Sequence, residues 1–267
     1  MPFAFAQDLT AAEFSALVDA KTVALLPVAA IEQHGPHLPL STDCDIALGH
    51  LAALPDYLDP ARNVLVLPLQ TIGHSLEHAG FAGVFSHDAE TLLKSWEDVA
   101  NVFVRAGGRR LIVVSSHGGN SEVVGLLNQR LVARQPMVAV SSAWLRFGQP
   151  EGLFGPDEQA WGIHGGAVET ALMLHYWPHK VRHAALAEFT SAGREWAEGA
   201  THLGINSRHR QSWMTGWLNP TGALGDARGA SAQQGALSAA HALKGMGQLI
   251  AEVAQFDLAR LGGKETS

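Results

Sequence analysis

The sequence predicts an α/β fold in which a mostly parallel β-sheet is covered by helices on both faces. Segments such as 23–28 and 111–114 are continuously apolar, which is typical of strands buried on both sides. They alternate with stretches of helical periodicity, and this alternation is the pattern of a parallel sheet. The 267 residues contain no internal repeat and no low-complexity linker. We therefore expect one domain over residues 1–267.

The first predicted elements are a helix, a strand and a second helix. Thr10 and Glu13 form a capping box, which predicts a short amphipathic helix ending near Ala20. The apolar run 23–28 predicts the first strand. Residues 46–58 read as helical.

A second strand, a long helix and a third strand follow. The apolar run 63–69 predicts the strand. Ser86 or Asp88 begins the helix, because apolar residues recur at helical spacing until the glycines at 107–108. The β-branched and apolar stretch within 109–116 predicts the third strand.

The remaining pattern predicts helices over 121–133 and from 168 to 174, a strand over 137–142 and a final helix from about 231 to 258. The segments 145–162 and 190–229 read as long loops rich in glycine and proline. Loops of this length in a compact domain are usually functional or involved in assembly.

Composition excludes several classes of function. The net charge is −7 and no Lys/Arg run exceeds two residues, which argues against nucleic-acid or anionic-membrane partners. No apolar run approaches the roughly 20 residues of a membrane span, and the N-terminus lacks the basic start of a signal peptide. The lone Cys44 cannot form an intramolecular disulfide. We expect a cytoplasmic protein.

The first group of candidate metal ligands follows the first strand. Glu32, His34 and Asp43 lie in a Gly/Pro-rich loop that can turn several side chains towards one point. Carboxylate and imidazole together suit Zn, Mn or Fe(II) better than Ca or Mg. The alternative is a polar turn in which the carboxylates bind backbone amides. His37, between two prolines, would at most support the ligands.

Two further Gly-rich turns contain histidines. In one, His117 is followed by Gly118, Gly119 and Asn120, directly before a helix that Asn120 could cap. Backbone amides at such a turn suit a developing oxyanion; the alternative is a turn with an idle histidine. In the other, His164 precedes Glu169 by five residues. His164 is a candidate proton shuttle, whereas Glu169 near a helix start is also favoured by the helix dipole alone.

The loops 29–43, 70–85 and 115–120 each follow a strand and should open on the same edge of the sheet, where active sites of such sheets lie. Glu77 and His78, in the second loop, could shape a substrate pocket or form a subunit contact. Trp161 could wall a pocket for a flat ligand or anchor an interface, and the interface reading is favoured for Trp213 and Trp217.

Taken together, the motifs resemble those of the creatininase (creatinine amidohydrolase) family, in order over about residues 20 to 250. They are Glu-Gln-His-Gly-Pro-His-Leu-Pro-Leu-x-Thr-Asp at 32–43, Ser-x-Glu-His at 75–78, His-Gly-Gly-Asn at 117–120, His-Gly-Gly-x-x-Glu-Thr at 164–170 and Gly-Asp-Ala-Arg-Gly-Ala-Ser at 225–231. The resemblance implies a single α/β/α layered domain that assembles into a homo-oligomer, commonly a hexamer. It also implies two divalent metal ions, Zn or Mn, with Fe as a further option, and a small-molecule amide substrate.

The resemblance also implies roles for individual residues. Glu32 and His34 would each hold one metal, Asp43 would bridge the two, and His117 would be a further ligand. His164 would be the acid/base group near the leaving nitrogen.

Two motifs depart from the family pattern. Creatininase has a glutamate ligand where this chain has Gly119, so Glu169 becomes the candidate for the missing carboxylate and joins His164 as a candidate catalytic residue. The family's Phe-Pro-Gly-Thr is Phe-Ala-Gly-Val at 81–84 here. Both departures argue against creatinine itself as the substrate.

The predicted reaction is hydrolysis of a non-peptide or cyclic amide C–N bond. A hydroxide bridging the metals would attack the carbonyl, and amides at Gly118 and Gly119 would help to hold the oxyanion. His164 would protonate the departing nitrogen. Glu77, His78, Gly118, Gly119 and Trp161 are the candidate substrate-binding residues.

Other functions fit the same residues. Within the family, the chain could be a formamide deformylase or a peptidase of a cofactor pathway. Outside enzymology, it could be a non-catalytic metal-binding scaffold. A mononucleotide-binding protein is disfavoured, because no Gly-x-Gly-x-x-Gly or Gly-x-x-x-x-Gly-Lys-Ser/Thr element follows a strand.

Overall fold

The protein is described by a computed structural model that covers residues 3–205, 207 and 209–261. The central feature is a five-stranded sheet. In spatial order its strands are β1 (Phe3–Phe5), β3 (Val64–Val66), β2 (Val23–Val28), β4 (Arg110–Ser115) and β5 (Val138–Ala143). All four pairings that join these strands are parallel, which confirms the predicted α/β class. The prediction of one domain over 1–267 includes ten residues outside the described ranges and stays a prediction.

Nine α-helices accompany the sheet in the described part of the chain. They are α1 (Ala11–Leu17), α2 (Thr42–Ala53), α3 (Ala89–Arg105), α4 (Ser121–Arg134), α5 (Pro156–Trp161), α6 (Ala167–Tyr176), α7 (Gly193–Trp196), α8 (Thr215–Leu218) and α9 (Ala232–Gln255). Four two-residue strands form two further pairs, β6 (Glu188–Phe189) with β9 (Gly225–Asp226) and β7 (Leu203–Gly204) with β8 (His209–Arg210).

The helices cover the sheet on both faces, which gives three layers. Leu26 faces the layer of α1, α3 and α4, in which Trp96 and Phe103 are fully buried. Leu25, the preceding residue of strand β2, faces the layer of α2 and α9, in which Met246 is fully buried. Consecutive strand residues point to opposite faces, so the continuous apolar run of β2 supplies both cores.

Most predicted elements are present, and their differences have local causes. Strand β1 was not predicted, because three residues at the sheet edge carry too little pattern. Helix α2 begins at Thr42 instead of 46 and has Asp43 and Asp45 in its first turn, where the helix dipole favours negative charge. Strand β3 ends before Pro68, which cannot donate a ladder hydrogen bond. The long segment 190–229 contains the short helices α7 and α8.

The predicted capping box of the first helix is confirmed. In α1, the Thr10 hydroxyl accepts from the Glu13 amide while the Glu13 carboxylate accepts from the Thr10 amide. The final helix α9 begins with the same arrangement, formed by Ser231 and Gln234.

None of the helices in the described residues is both long enough and apolar enough to cross a membrane.

Candidate metal centre

The loops that follow β2, β3 and β4 meet at the carboxyl edge of the sheet. Asn120 ties them together, because its side chain donates to the Ala29 carbonyl (3.1 Å) and accepts from the His74 amide (2.9 Å). The prediction that Asn120 caps α4 was therefore wrong: it occupies the cap position, but its side chain makes no hydrogen bond to the helix. Its amide group is used between loops instead.

The loop from Glu32 to Asp43 is folded back on itself. The Glu32 amide donates to the Leu40 carbonyl at 3.0 Å, and Glu32 and His34 are both buried. Gly35 has φ +70°, and a Cβ there would lie 2.6 Å from the Cβ of Ala223. A glycine is therefore required at this position, both for the backbone conformation and for space.

Glu32, Asp43 and His117 form one buried group of candidate metal ligands. The Nδ1 atom of His117 lies 3.1 Å from Oε1 of Glu32 and 3.5 Å from Oδ2 of Asp43. Each residue comes from a different segment: the loop after β2, the first turn of α2 and the turn after β4.

His34, Asp43 and Glu169 form a second group. The Nε2 atom of His34 lies 3.2 Å from Oδ1 of Asp43 and 3.9 Å from Oε2 of Glu169. Oε2 of Glu169 also accepts from the Gly165 amide at 2.6 Å. Asp43 thus belongs to both groups and directs a different oxygen to each imidazole.

His164 and His78 lie on the other side of Glu32. Nδ1 of His164 is 3.8 Å from Oε1 of Glu32, and Nε2 of His78 is 3.3 Å from the same oxygen. The His164 ring lies between the rings of His34 and His78, with both centroids 4.2 Å away. Glu32, His34 and His164 also satisfy the geometry of a ligand group.

Several atoms of the cluster are suited to a cation. Both oxygens of Glu32, Nε2 of His34 and Oδ2 of Asp43 are buried, and no described residue gives any of them a hydrogen bond of acceptable geometry. Leaving such groups without a partner costs about 1–3 kcal/mol each, and more when they are charged. Since the donors are carboxylate oxygens and imidazole nitrogens, the residues present fit a borderline divalent metal ion.

The pKa values of the ligands reflect their mutual attraction. Burial opposes charge on the His34 ring, but the Asp43 carboxylate outweighs burial and raises the pKa of His34 to about 9. Glu32 does the same for His117 and raises its pKa to about 10. Burial raises the pKa of Asp43 and of Glu169. In the metal-free chain, protons on His34 and His117 thus offset negative charge that divalent cations would otherwise balance.

The far nitrogen of each candidate histidine ligand is already occupied. Nδ1 of His34 lies 3.1 Å from the Glu32 carbonyl oxygen, and Nε2 of His117 lies 2.9 Å from the His74 carbonyl oxygen. Histidines that bind metals commonly donate their other N–H in this way. The carbonyls fix which nitrogen each ring turns towards the carboxylates.

Gln33 and Thr215 were missed by the sequence analysis. Nε2 of Gln33 lies 2.8 Å from Nδ1 of His78 and 3.2 Å from Nε2 of His164 and donates to the Gly222 carbonyl at 2.9 Å. The Thr215 hydroxyl is 2.8 Å from Nδ1 of His78. Gln33, between two predicted ligands, was visible in the sequence, but Thr215 is 137 positions from His78 and carried no signal.

A cavity of about 750 Å³ opens beside the cluster. Its lining includes Asp43, His117, His164 and Glu169 as well as four of the predicted substrate-binding residues, Glu77, His78, Gly118 and Gly119. Trp213 also lines it, although the sequence favoured an interface role for this residue.

Trp161, the fifth predicted substrate-binding residue, lies elsewhere. It lines a separate cavity of about 300 Å³ and packs among Ile205, Leu218 and Leu224. The guanidinium of Arg194 lies 5.7 Å from its ring centroid. The structure therefore does not bring Trp161 into the cavity beside the cluster. Helix α5 ends at Trp161 and directs its side chain towards the apolar group of Ile205, Leu218 and Leu224 instead.

The Creatininase family, described as creatinine amidohydrolase, matches residues 7–250. This chain belongs to the creatininase family. It is accordingly a metal-dependent amidohydrolase, in agreement with the sequence prediction.

Two similar proteins are described by different activities. A mycofactocin precursor peptide peptidase of Mycolicibacterium smegmatis is 34% identical over 166 residues, which span 59% of this chain and 59% of the relative. A creatinine amidohydrolase of Pseudomonas putida is 31% identical over 198 residues, 66% of this chain and 73% of that one.

Solved structures have the same fold. A creatininase variant described as Zn-Zn type has a TM-score of 0.74 and 26% identity, and the match covers 94% of this chain and 98% of that one. A structure described as creatininase Mn has a TM-score of 0.73 and 25% identity, covering 94% and 99%.

Proposed function

We propose that this amidohydrolase binds two divalent metal ions and hydrolyses a non-peptide or cyclic amide C–N bond. The observation that carries the proposal is the position of Asp43, whose two oxygens face two different imidazoles. One carboxylate can therefore serve both ions. Glu32 and His117 would complete one binding site, and His34 and Glu169 the other.

The donor set and the relatives favour Zn or Mn. Mixed imidazole and carboxylate donors suit Zn, Mn and Fe(II), and creatininases have been solved in forms described as Zn-Zn and Mn. Bound in such a pair, divalent ions polarise a carbonyl and lower the pKa of water from 15.7 towards about 7.

Glu169 is the proposed substitute for the carboxylate that is absent at Gly119. It starts from the first turn of α6, and its Oε2 reaches to 3.9 Å from Nε2 of His34. The hydrogen bond from the Gly165 amide holds this oxygen in place.

His164 is the proposed acid/base residue. Its Nε2 lies 2.6 Å from the Gln33 carbonyl oxygen, which requires a proton on Nε2 and leaves Nδ1 as the basic nitrogen. Burial and the neighbouring His34 hold the pKa of His164 well below its usual value, so the ring is neutral at pH 7. A neutral ring can accept a proton from the attacking water and pass it to the leaving nitrogen.

The substrate would occupy the cavity of about 750 Å³. Gly118 and Gly119 line it at the turn before α4, and their amides are the proposed donors to the oxyanion. Glu77 and His78 line the same cavity and are proposed to contact the substrate.

Hydrolysis of a short peptide is the second candidate. A cavity of this volume falls in the range of roughly 300–1,000 Å³ that holds drug-sized ligands, which leaves room for a substrate longer than a small ring. The peptidase relative supports this candidate as well. The two candidates use the same metal-binding residues and differ only in the groups that flank the scissile bond.

A substrate panel tests both candidates. Protein loaded with Zn or Mn and metal-stripped protein are assayed on cyclic amides including creatinine, on N-formyl compounds and on short peptides. We expect turnover of one class by the loaded protein, loss of turnover on stripping and recovery on reloading. Asp56→Asn, on an exposed residue, serves as the control variant. A chain that binds no transition metal, or loaded protein that turns over nothing in the panel, contradicts the proposal and favours a scaffold.

Assembly and location complete the proposal. We infer a homo-oligomer, with a hexamer as the specific expectation, and a cytoplasmic protein. Trp217 and Phe85 support assembly, because 63% and 54% of their surfaces are exposed and large apolar side chains are frequent at interfaces. The buried single Cys44 is consistent with a reducing compartment. Light scattering after gel filtration measures the oligomeric state.

A further inference from the structure

Gly119 lies where three groups converge. A Cβ built on this residue would lie 2.4 Å from Oε1 of Glu77, 2.4 Å from the His74 carbonyl oxygen and 2.5 Å from Nε2 of His117. Contacts this short are not tolerated by real side chains, so any other residue would push the three groups apart. The absence of a side chain at 119 is therefore what allows Glu77 to approach His117.

The His117 ring is held from both sides as a result. Its Nδ1 faces Glu32 and Asp43. Its Nε2 lies 2.9 Å from the His74 carbonyl oxygen and 3.5 Å from Oε1 of Glu77. The Glu77 carboxylate is the charged group on the side away from the proposed metal ions.

The backbone of Glu77 is held by a neighbouring segment of the protein. Its side chain is only 20% exposed, it belongs to the short 3₁₀ turn Leu76–His78, and its own carbonyl accepts from the Thr215 hydroxyl at 3.1 Å. The backbone that carries the Glu77 carboxylate is therefore held beside the His117 ring.

We propose that Glu77 is a positioning residue that acts through His117, and that Gly119 provides the space for it. The inference rests on the proposed metal centre, in which His117 is a ligand. A carboxylate behind a metal-binding imidazole stabilises the orientation in which the other nitrogen faces the ion and raises its basicity, and loss of such a partner commonly weakens metal binding about 10–100-fold. Glu77 therefore has a role beyond its place in the cavity wall.

The substrate contact proposed above for Glu77 does not by itself require this positioning role. The two roles differ in what they change. A positioning residue affects metal affinity in the absence of substrate, whereas a substrate contact affects the KM with metal affinity unchanged.

The experiment compares Glu77→Ala and Glu77→Gln with the wild-type chain. Zn affinity is measured without substrate by competition with a chromogenic chelator, and kcat and KM are measured on whichever amide the panel identifies. We expect Glu77→Ala to bind Zn about tenfold more weakly and Glu77→Gln to fall between it and the wild type, because the amide oxygen keeps the contact and loses the charge. Glu90→Gln, on an exposed residue of α3, is the matched control and should bind Zn as the wild type does.

Wild-type Zn affinity in Glu77→Ala, with or without a change in KM, overturns the inference. Thermal melting of each variant identifies any that fails to fold, and Glu77→Gln, which preserves size and shape, keeps the test available if Glu77→Ala does not fold. Failure of the proposed function is a separate result, since it requires that the wild type itself bind no Zn or turn over no amide.

Discussion

Oδ1 of Asp43 lies 3.2 Å from Nε2 of His34, and Oδ2 of the same carboxylate lies 3.5 Å from Nδ1 of His117. Asp43 lies in the first turn of α2 and is almost completely buried, so its side chain has little freedom to rotate. The proposed two-metal centre depends on this single side chain more than on any other.

Replacement of Asp43 by asparagine should abolish paired metal binding. The amide keeps the shape, but it lacks the negative charge and offers only one oxygen. We expect metal content, measured by plasma mass spectrometry after dialysis, to fall from two ions per chain to one or fewer, with loss of turnover. Two retained ions and full activity would show that Asp43 does not bridge.

Replacement of Glu169 by glutamine should remove one ion selectively. The variant loses the charged oxygen near His34, whereas Glu32, Asp43 and His117 stay intact. The expected result is one ion per chain and turnover reduced at least about 100-fold, since a binuclear mechanism needs both ions. Asp56→Asn is again the comparison, and it should retain two. If Glu169→Gln also retains two, the missing carboxylate is supplied by another residue.

Metal binding should release protons and strengthen with pH. The pKa values are about 9 for His34 and about 10 for His117. Both rings are therefore positively charged at pH 7 in the metal-free chain, with a proton on each nitrogen, and a metal ion must displace one of the two protons. Calorimetric titration with Zn in buffers of different ionisation enthalpy should give proton release at pH 7 that declines as the pH approaches 10. Zero release at pH 7 contradicts the raised pKa values.

The metal-free chain should show the opposite pH dependence. Both histidines have pKa values raised above the unfolded value of about 6.5, so their contribution to stability is full below pH 6.5 and is lost as the pH rises through 9 to 10. We expect the thermal midpoint of chelator-treated protein to fall over this range. The thermal midpoint should fall less in His117→Asn than in the wild type, because asparagine cannot take up the proton. An equal fall in the two proteins would show that His117 is not the source of the pH dependence.

Two glycine substitutions should separate strain from steric exclusion. Gly35 and Gly148 have similar φ values of +70° and +76°, but a Cβ at 35 would meet Ala223 at 2.6 Å whereas a Cβ at 148 would meet nothing within 4 Å. Gly148→Ala should cost about 1 kcal/mol of unfolding free energy, from backbone strain alone. Gly35→Ala should cost more and also weaken metal binding, because the loop that holds Glu32 and His34 must shift. Equal costs in urea denaturation would contradict this.

The fold could be predicted from the sequence because its signals are local. Each apolar run such as 23–28 is a strand, and the helices between them follow from periodicity and caps. The predicted boundaries were wrong where a few residues decide them. Helix α2, for example, begins at Thr42, four residues before the predicted start. Strand β1 was missed for the same reason.

The candidate site was predictable only in part. The residues at 32, 34, 43, 117, 164 and 169 were recognisable because histidine and carboxylate in Gly-rich turns are unusual, and the structure gathers all six. The sequence could not indicate that Asn120 bonds between loops or that Thr215 reaches His78, since those contacts depend on long-range packing. Trp161 was assigned to the cavity by residue type alone, and residue type does not specify direction.

The carboxylates and imidazoles of the cluster are spread from position 32 to position 169 of the chain. During synthesis, the segment that carries Glu169 leaves the ribosome long after the one that carries Glu32. Nascent chains that end before Glu169 cannot complete the cluster, so full loading with metal must wait until this residue has been made, and products of translation truncated before it would lack the complete site.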